Sequence, residues 1–399
     1  MAIQKIINAT IVNATGLEYN KTITIKDGII ENIYDTKDGE EGFDAKNKFV
    51  CPGLIDCHVH VTVVPGVRSI AGIFDNFQSA LVIKATKVLE QMLLRGFTTV
   101  RDCGGADKGI AQCIDDNIIQ GPRLFQCGKA LSQTGGHADP RVPSADHITR
   151  GDVCCHNQPN VGRVVDGVTE CLRSTRDELR RGADFIKIMA GGGVMSYTDP
   201  LDGLQFSDEE IRAICTAANN QGTYVAAHAY TPQAIQQAIN CGVTSIEHGN
   251  MITEEIASLM AKKGVSLTPT LIVYKHMNEI GDLSDLIKQK NKRVLDSGLK
   301  ALKIADDAGV NICYGSDLLS DTHAFQSKEF TIRSAILSAE SILKSCTVNA
   351  AKLLRMEDKI GVIKKGAYAD IIFVEKNPLE DITTLENVIH VIKNGKLIK

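Results

Sequence analysis

The sequence predicts an α/β protein: a (β/α)8 barrel of the TIM type with a small β-sandwich-like domain formed by both chain termini. Two observations carry this. Short apolar strands alternate with helix-like segments eight times through the middle of the chain, and both ends read as β-structure instead. A chain of 399 residues is long enough for a barrel plus a small second unit.

The first fifty residues are all β in character. In "KTITIKDGIIENIYD" apolar and polar residues alternate, and Asp27-Gly28 marks a hairpin turn. The last forty echo this with "GAYADIIFVE" and "NVIHVIKNGKLIK", where Asn394-Gly395 marks a second turn. The expected division is 1–50 plus 358–399 for the small domain and 51–357 for the barrel.

The expected barrel strands lie near 49–56, 97–102, 123–128, 184–190, 223–228, 243–248, 265–270 and 310–316. Amphipathic helices are expected at 76–95, 207–220 and 291–308. Ser207 followed by Glu210 reads as a capping box that opens the second of these. A doubly wound open sheet is the alternative architecture, but no GxGxxG or P-loop signature supports it. The stretch 131–167 is polar and rich in Gly, Pro and Asn. It is expected to be a loop insertion over the barrel mouth.

Composition narrows the function classes. The net charge is −4, with 43% hydrophobic and 23% charged residues and no long basic or acidic block. That argues against nucleic acid and membrane surfaces as partners, and leaves a small-molecule substrate and a possible homo-oligomer. No apolar run approaches the length of a membrane span. The N-terminus lacks the pattern of a secretory signal, and the twelve cysteines form no CxxC pairs. Free thiols in a reducing, cytoplasmic setting are expected. Cys154, Cys155 and His156 suggest a metal site at first sight, but adjacent residues rarely converge on one ion.

The segment "ADFIKIMAGGG" (183–193) places Lys187 in the middle of an apolar strand. A buried ammonium is costly unless paired, so the residue either snorkels, finds a carboxylate or has another chemical role. The other strand ends are informative. "LIDCHVH" carries His58 and His60, which share one face of a strand; "VAAHAY" carries His228, "SIEHGN" carries His248 and "CYGSD" carries Asp317. In a barrel all six project from the C-terminal mouth, where barrel active sites lie. Imidazoles and a carboxylate are ligands for a divalent metal such as zinc, manganese or iron.

In type, order and strand position, the set His58-x-His60, Lys187, His228, His248 and Asp317 resembles the amidohydrolase superfamily over essentially the whole chain. The resemblance implies two divalent metal ions, by default zinc, with His58, His60 and Asp317 holding one and His228 and His248 the other. It implies that Lys187 is carboxylated by CO2 and that the carbamate bridges the pair. It further implies attack by a metal-bridging hydroxide, with Asp317 as general base and then general acid. Mononuclear deaminases and imidazolonepropionase resemble one another in lacking the fourth-strand lysine, so Lys187 points to the binuclear class.

The stretches "SQTGGHAD" (132–139), "KIMAGGGVMS" (187–196), "HAYTPQAI" (228–235) and "SIEHGN" (245–250) are similar to the metal-dependent Xaa-Pro dipeptidase, carboxypeptidase and ochratoxinase-like group. That similarity implies cleavage of the amide bond in dipeptides or N-acyl amino acids. An imidazolonepropionase-like cyclic-amide hydrolase or a deaminase is the alternative. Tyr230, two residues past His228, is expected to hydrogen-bond the substrate carbonyl. His137 is the candidate for the substrate carboxylate, Arg141 for a positive charge near it, and Gly192 and Gly193 for backbone N–H contacts.

Overall fold

The computed structural model describes residues 1–14, 16–67, 71–141, 161–196, 199–277 and 283–399. The apolar alternation at the two ends folds into one eight-stranded sheet. Its main path runs from Lys396–Leu397 through His390–Lys393, Ile371–Val374, Phe49–Pro52 and Lys5–Asn13 to Gly16–Lys26 and Ile29–Asp35. The N- and C-terminal strands meet where Val50 pairs with Phe373. Both turns fall where the sequence places them. Asp27 and Gly28 have φ of 50° and 78°, and Asn394 and Gly395 have φ of 47° and 71°. Positive φ at both central residues is the geometry that matches the twist of the flanking strands. Ile6, Ile11, Ile23, Ile371 and Phe373 form a core of their own beneath this sheet.

The middle of the chain is built from parallel strands and helices. Leu54–Val59, Phe97–Asp102 and Arg123–Gln126 form a three-stranded sheet. Gly162–Val164, Ala130–Ser132, Ile186–Met189, Val225–Ala229, Ser245–His248, Ser266–Thr268 and Asn311–Ile312 form a seven-stranded one, in that order. Backbone hydrogen bonds link the two sheets on both sides, from Cys57 N to Tyr314 O and from Asp184 N to Gln126 O, each at 2.8 Å. Helices Gln78–Leu94 and Asp208–Asn220 match the amphipathic segments, and the third, Asp285–Asp307, begins six residues before the expected start at 291. The Ser207–Glu210 capping box is formed in both directions. Every cysteine among the described residues is a free thiol.

Two expectations are corrected. The apolar run 49–56 is two strands: Phe49–Pro52 lies in the terminal sheet and Leu54–Val59 in the parallel one. Gly53 makes the change of sheet possible, because a Cβ there would lie 2.1 Å from Thr98 Oγ1. The apolar run is continuous because both strands are buried, which hides the join. The stretch 131–167 is not all loop either. Ala130–Ser132 pairs in parallel with Gly162–Val164, and three-residue strands leave too little periodicity to read. Cys154, Cys155 and His156 lie outside the described residues.

Candidate metal centre and active site

The six residues singled out at the strand ends line one cavity, together with His137, Tyr230 and Tyr274. His58 and His60 leave the first parallel strand on the same face. Their Nε2 atoms are each 3.3 Å from Asp317 Oδ1. The opposite ring nitrogens are held from behind, His58 Nδ1 by Glu247 Oε2 at 2.8 Å and His60 Nδ1 by the Gly104 carbonyl at 2.8 Å. Both rings are thereby turned so that Nε2 faces the cavity, as a metal ligand requires.

His228 Nε2 lies 3.1 Å from the Gly192 carbonyl, and His248 Nδ1 lies 2.7 Å from Thr270 Oγ1. The two rings sit 4.7 Å apart. Burial pushes the pKa of both imidazoles well below the ordinary value, and neighbouring cationic groups add to this. Neutral imidazole is the metal-binding form. Burial alone would raise the Asp317 carboxyl, but His58 and His60 outweigh it and hold it well below the usual range. Ligand atoms of His58, His248 and Asp317 lie within 4.8 Å of one another, so they can share an ion.

Lys187 is 1% exposed. It neither snorkels nor meets a carboxylate: no hydrogen bond or ion pair to its amine occurs among the described residues. A lone ammonium among histidines is costly. The donor set of His58, His248 and Asp317 fits a divalent metal.

Backbone geometry completes the site. Along a strand Glu247 and His248 would face opposite ways. His248 adopts φ of 73°, and as a result both approach His58: Glu247 through its hydrogen bond, His248 with ring centroids 4.9 Å apart. Asp317 adopts φ of 52°, and its N–H donates to the His58 carbonyl at 2.8 Å. Asp56 ties the first parallel strand to the chain that follows the last one by accepting from Ser316 Oγ at 2.6 Å and Gln326 Nε2 at 2.9 Å.

Tyr230 lies against both His228 and His248, with ring centroids 4.7 and 5.4 Å away. Its hydroxyl is 2.9 Å from that of Tyr274. His137 stacks on His228 at 4.3 Å, and its Nδ1 lies 3.6 Å from Asp199 Oδ2, beyond a normal hydrogen bond. Arg141 is half-buried and paired with both carboxylate oxygens of Asp139. It is not among the residues lining the cavity.

The glycine reading is corrected. The Gly192 N–H donates to Gly203 O at 3.1 Å and the Gly193 N–H to Asp199 Oδ2 at 2.8 Å, so neither is free for a ligand here. What demands glycine is packing. A Cβ on Gly193 would lie 1.8 Å from the His137 ring, and one on Gly192 would lie 1.8 Å from the Pro200 carbonyl.

Several contributing residues escape the strand-end reading. Arg101 and Glu247 are fully buried and paired. Lys290 donates to the carbonyls of Gly193 at 3.1 Å, Ser196 at 2.9 Å and Asp199 at 2.7 Å. The signal for the first two was available. Like Lys187, each is a charge inside an apolar strand.

The amidohydrolase family profile matches residues 49–398. The chain belongs to the amidohydrolase family. It is 32% identical to the ochratoxinase of Aspergillus niger over 370 residues, which cover 87% of this chain and 75% of that protein. A prolidase solved with N-methylphosphonate-L-proline is 39% identical, with a TM-score of 0.94 and coverage of 100% and 99% of the two chains. An Xaa-Pro dipeptidase solved with methionine in its active site is 31% identical, with a TM-score of 0.85 and coverage of 98% of both. An imidazolonepropionase of Fusobacterium nucleatum is more distant, at 24% identity. The amidohydrolase is a hydrolytic enzyme. No helix among the described residues is long and apolar enough to cross a membrane.

Proposed function

We propose that this amidohydrolase is a metal-dependent enzyme that cleaves the amide bond of dipeptides, of Xaa-Pro or Xaa-hydrophobic type, or of N-acyl amino acids. The observation that carries the reading is Lys187, buried without a partner among four histidines and Asp317. Supporting it are the similarity to a prolidase, an Xaa-Pro dipeptidase and an ochratoxinase.

His58, His60 and Asp317 would hold one ion and His228 and His248 the second, with Lys187 as a bridging carbamate. Two such ions, zinc by default, would polarise the scissile carbonyl and bring a bound water toward a pKa of roughly 7. The protein's own groups do the rest. Asp317, held as the anion by His58 and His60, takes the proton of the attacking water and delivers it to the leaving nitrogen. Tyr230 donates to the carbonyl oxygen as negative charge develops there. His137, which stacks on His228, would meet the substrate carboxylate. The backbone bonds that join the two parallel sheets on both sides support closure into a (β/α)8 barrel with these residues at its mouth. The reducing, cytoplasmic setting proposed from the cysteines is compatible with their free thiols.

Zinc-supplemented enzyme incubated with a panel of dipeptides and N-acyl amino acids tests the reading through release of free amino acid. Release confirms the reaction class. A protein that carries two metals and stays silent across the panel overturns it, and ammonia release would favour deamination instead.

A further inference from the structure

His137 lines the cavity, and the Asp199 carboxylate stands beside its ring. Gln205, buried at 3% exposure, fastens the two together. Its Oε1 accepts from the His137 N–H at 3.0 Å, and its Nε2 donates to Asp199 Oδ2 at 3.0 Å. The direction of this bridge is fixed. A backbone N–H can only donate, so the amide atom facing His137 is the oxygen and the NH2 faces Asp199. The same Asp199 oxygen accepts from the Gly193 N–H at 2.8 Å. Gly136 leaves room for the bridge, because a Cβ there would lie 2.7 Å from Gln205 Oε1.

The bridge is answered from the other side. Gln133 Oε1 accepts from the Phe206 N–H at 2.6 Å. Each glutamine thus bonds the backbone of the segment that carries the other. Between them Phe206 holds φ of 62°. That conformation is costly for a bulky side chain and persists only where its neighbours over-determine it. The Gln205 N–H donates to the Ala190 carbonyl at 3.1 Å, one residue past the strand Ile186–Met189 that carries Lys187. His137 and Asp199 are therefore referenced to a strand as well as to each other. Nδ1 is the His137 nitrogen nearer Asp199, at 3.6 Å, which leaves Nε2 to serve a ligand in the cavity.

We propose that Gln205 is a positioning residue: by holding the His137 backbone and the Asp199 carboxylate at one spacing, it sets where His137 Nε2 stands to receive the substrate carboxylate. This rests on the amide-hydrolase reading for the carboxylate, but not for the bridge.

The test compares metal-loaded wild type, Gln205→Met and Gln205→Glu on the best substrate of the panel and on its C-terminal carboxamide. Gln205→Met keeps the bulk and removes both bonds. Its KM for the carboxylate is expected to rise about tenfold, with kcat within about threefold. The carboxamide offers His137 no anion, so its kcat/KM should change less than about twofold. Gln205→Glu keeps an acceptor for the His137 N–H but loses the donor to Asp199. It should weaken the preference for the carboxylate in the same direction, and it decides the matter if Gln205→Met does not fold. Because Gln205 acts through His137, adding Gln205→Met to His137→Ala should cause no further loss. An unchanged KM, equal losses on acid and carboxamide, or losses that multiply in the double variant overturns the proposal. A second readout needs no turnover. In enzyme labelled with 15N-histidine, the His137 ring signals are assigned by their loss in His137→Ala, and they should move in Gln205→Met. Ring signals that stay in place also overturn the proposal. If the wild-type enzyme cleaves no amide, or does not prefer the carboxylate, the substrate reading falls separately and the NMR comparison alone decides the bridge.

Discussion

The Arg101 guanidinium meets the Glu247 carboxylate with Nη2 at 2.7 and 2.8 Å from its two oxygens, and neither side chain is exposed. Glu247 also receives His58 Nδ1. The pair thus anchors the ring that presents Nε2 to Asp317. Removing one partner of such a buried pair costs about 3–5 kcal/mol, because a lone charge stays behind. Glu247→Ala is expected to lose that much stability in denaturant titrations. Metal affinity, followed by elemental analysis after dialysis, should fall about 10- to 100-fold. Wild-type metal retention would show that His58 does not need this support.

The same carboxylate predicts a pH dependence. Burial pushes Glu247 up, but Arg101 and His58 outweigh it and hold the folded-state pKa at about 2. A free glutamate titrates near 4.3. On acidification the unfolded chain therefore takes up this proton first. The contribution is complete above about pH 4.3 and is lost as pH falls toward 2. Between pH 5 and 3, wild-type stability should fall more steeply than that of Glu247→Gln. Parallel slopes in denaturant titrations across that range would contradict the depressed pKa.

Lys187 gives two effects of opposite sign. Lys187→Met removes an unpartnered buried amine, so the metal-free protein should gain on the order of 1–3 kcal/mol. The same variant should lose one or both metals and nearly all turnover. Thermal unfolding in chelator and elemental analysis read the two effects separately. A variant that keeps wild-type turnover would rule out the carbamate.

Lys290 donates to the carbonyls of Gly193, Ser196 and Asp199. Next to these stand Val194 and Met195, which line the cavity, and Asp199 itself flanks His137. Lys290→Met keeps most of the stem but deletes the donors. A drop of about tenfold in kcat/KM, with metal content unchanged, is the expected result for about one hydrogen bond's worth of positioning. Unchanged kinetics would mean that Val194, Met195 and Asp199 keep their places without the lysine.

Much of this arrangement is legible in the sequence. His58, His60, His228, His248 and Asp317 each stand at the end of an apolar run, and a parallel sheet brings strand ends together wherever the helices lie. Asp27-Gly28 and Asn394-Gly395 were legible because their turn needs positive φ at two consecutive positions. The join at Gly53 was hidden because both flanking strands are buried on both faces. The Gly192 and Gly193 N–H groups were misread because a glycine run looks the same whether its amides serve a ligand or a neighbouring loop. Lys290 had no signal. Its role depends on a helix meeting a loop distant in sequence, and periodicity within a segment says nothing of that.

His248, at the end of its strand, and Asp317, five residues past the end of Asn311–Ile312, hold the left-handed backbone conformation. Side-chain-bearing residues pay on the order of 1–3 kcal/mol each for that conformation, and glycine does not. At both positions the substitution that would best relax the chain is thus the one that abolishes the ligand. A lineage selected for durability alone would drift toward glycine there and become a robust, inert protein. Stabilising this amidohydrolase by engineering should therefore start away from these two positions, where added durability and lost chemistry are the same change.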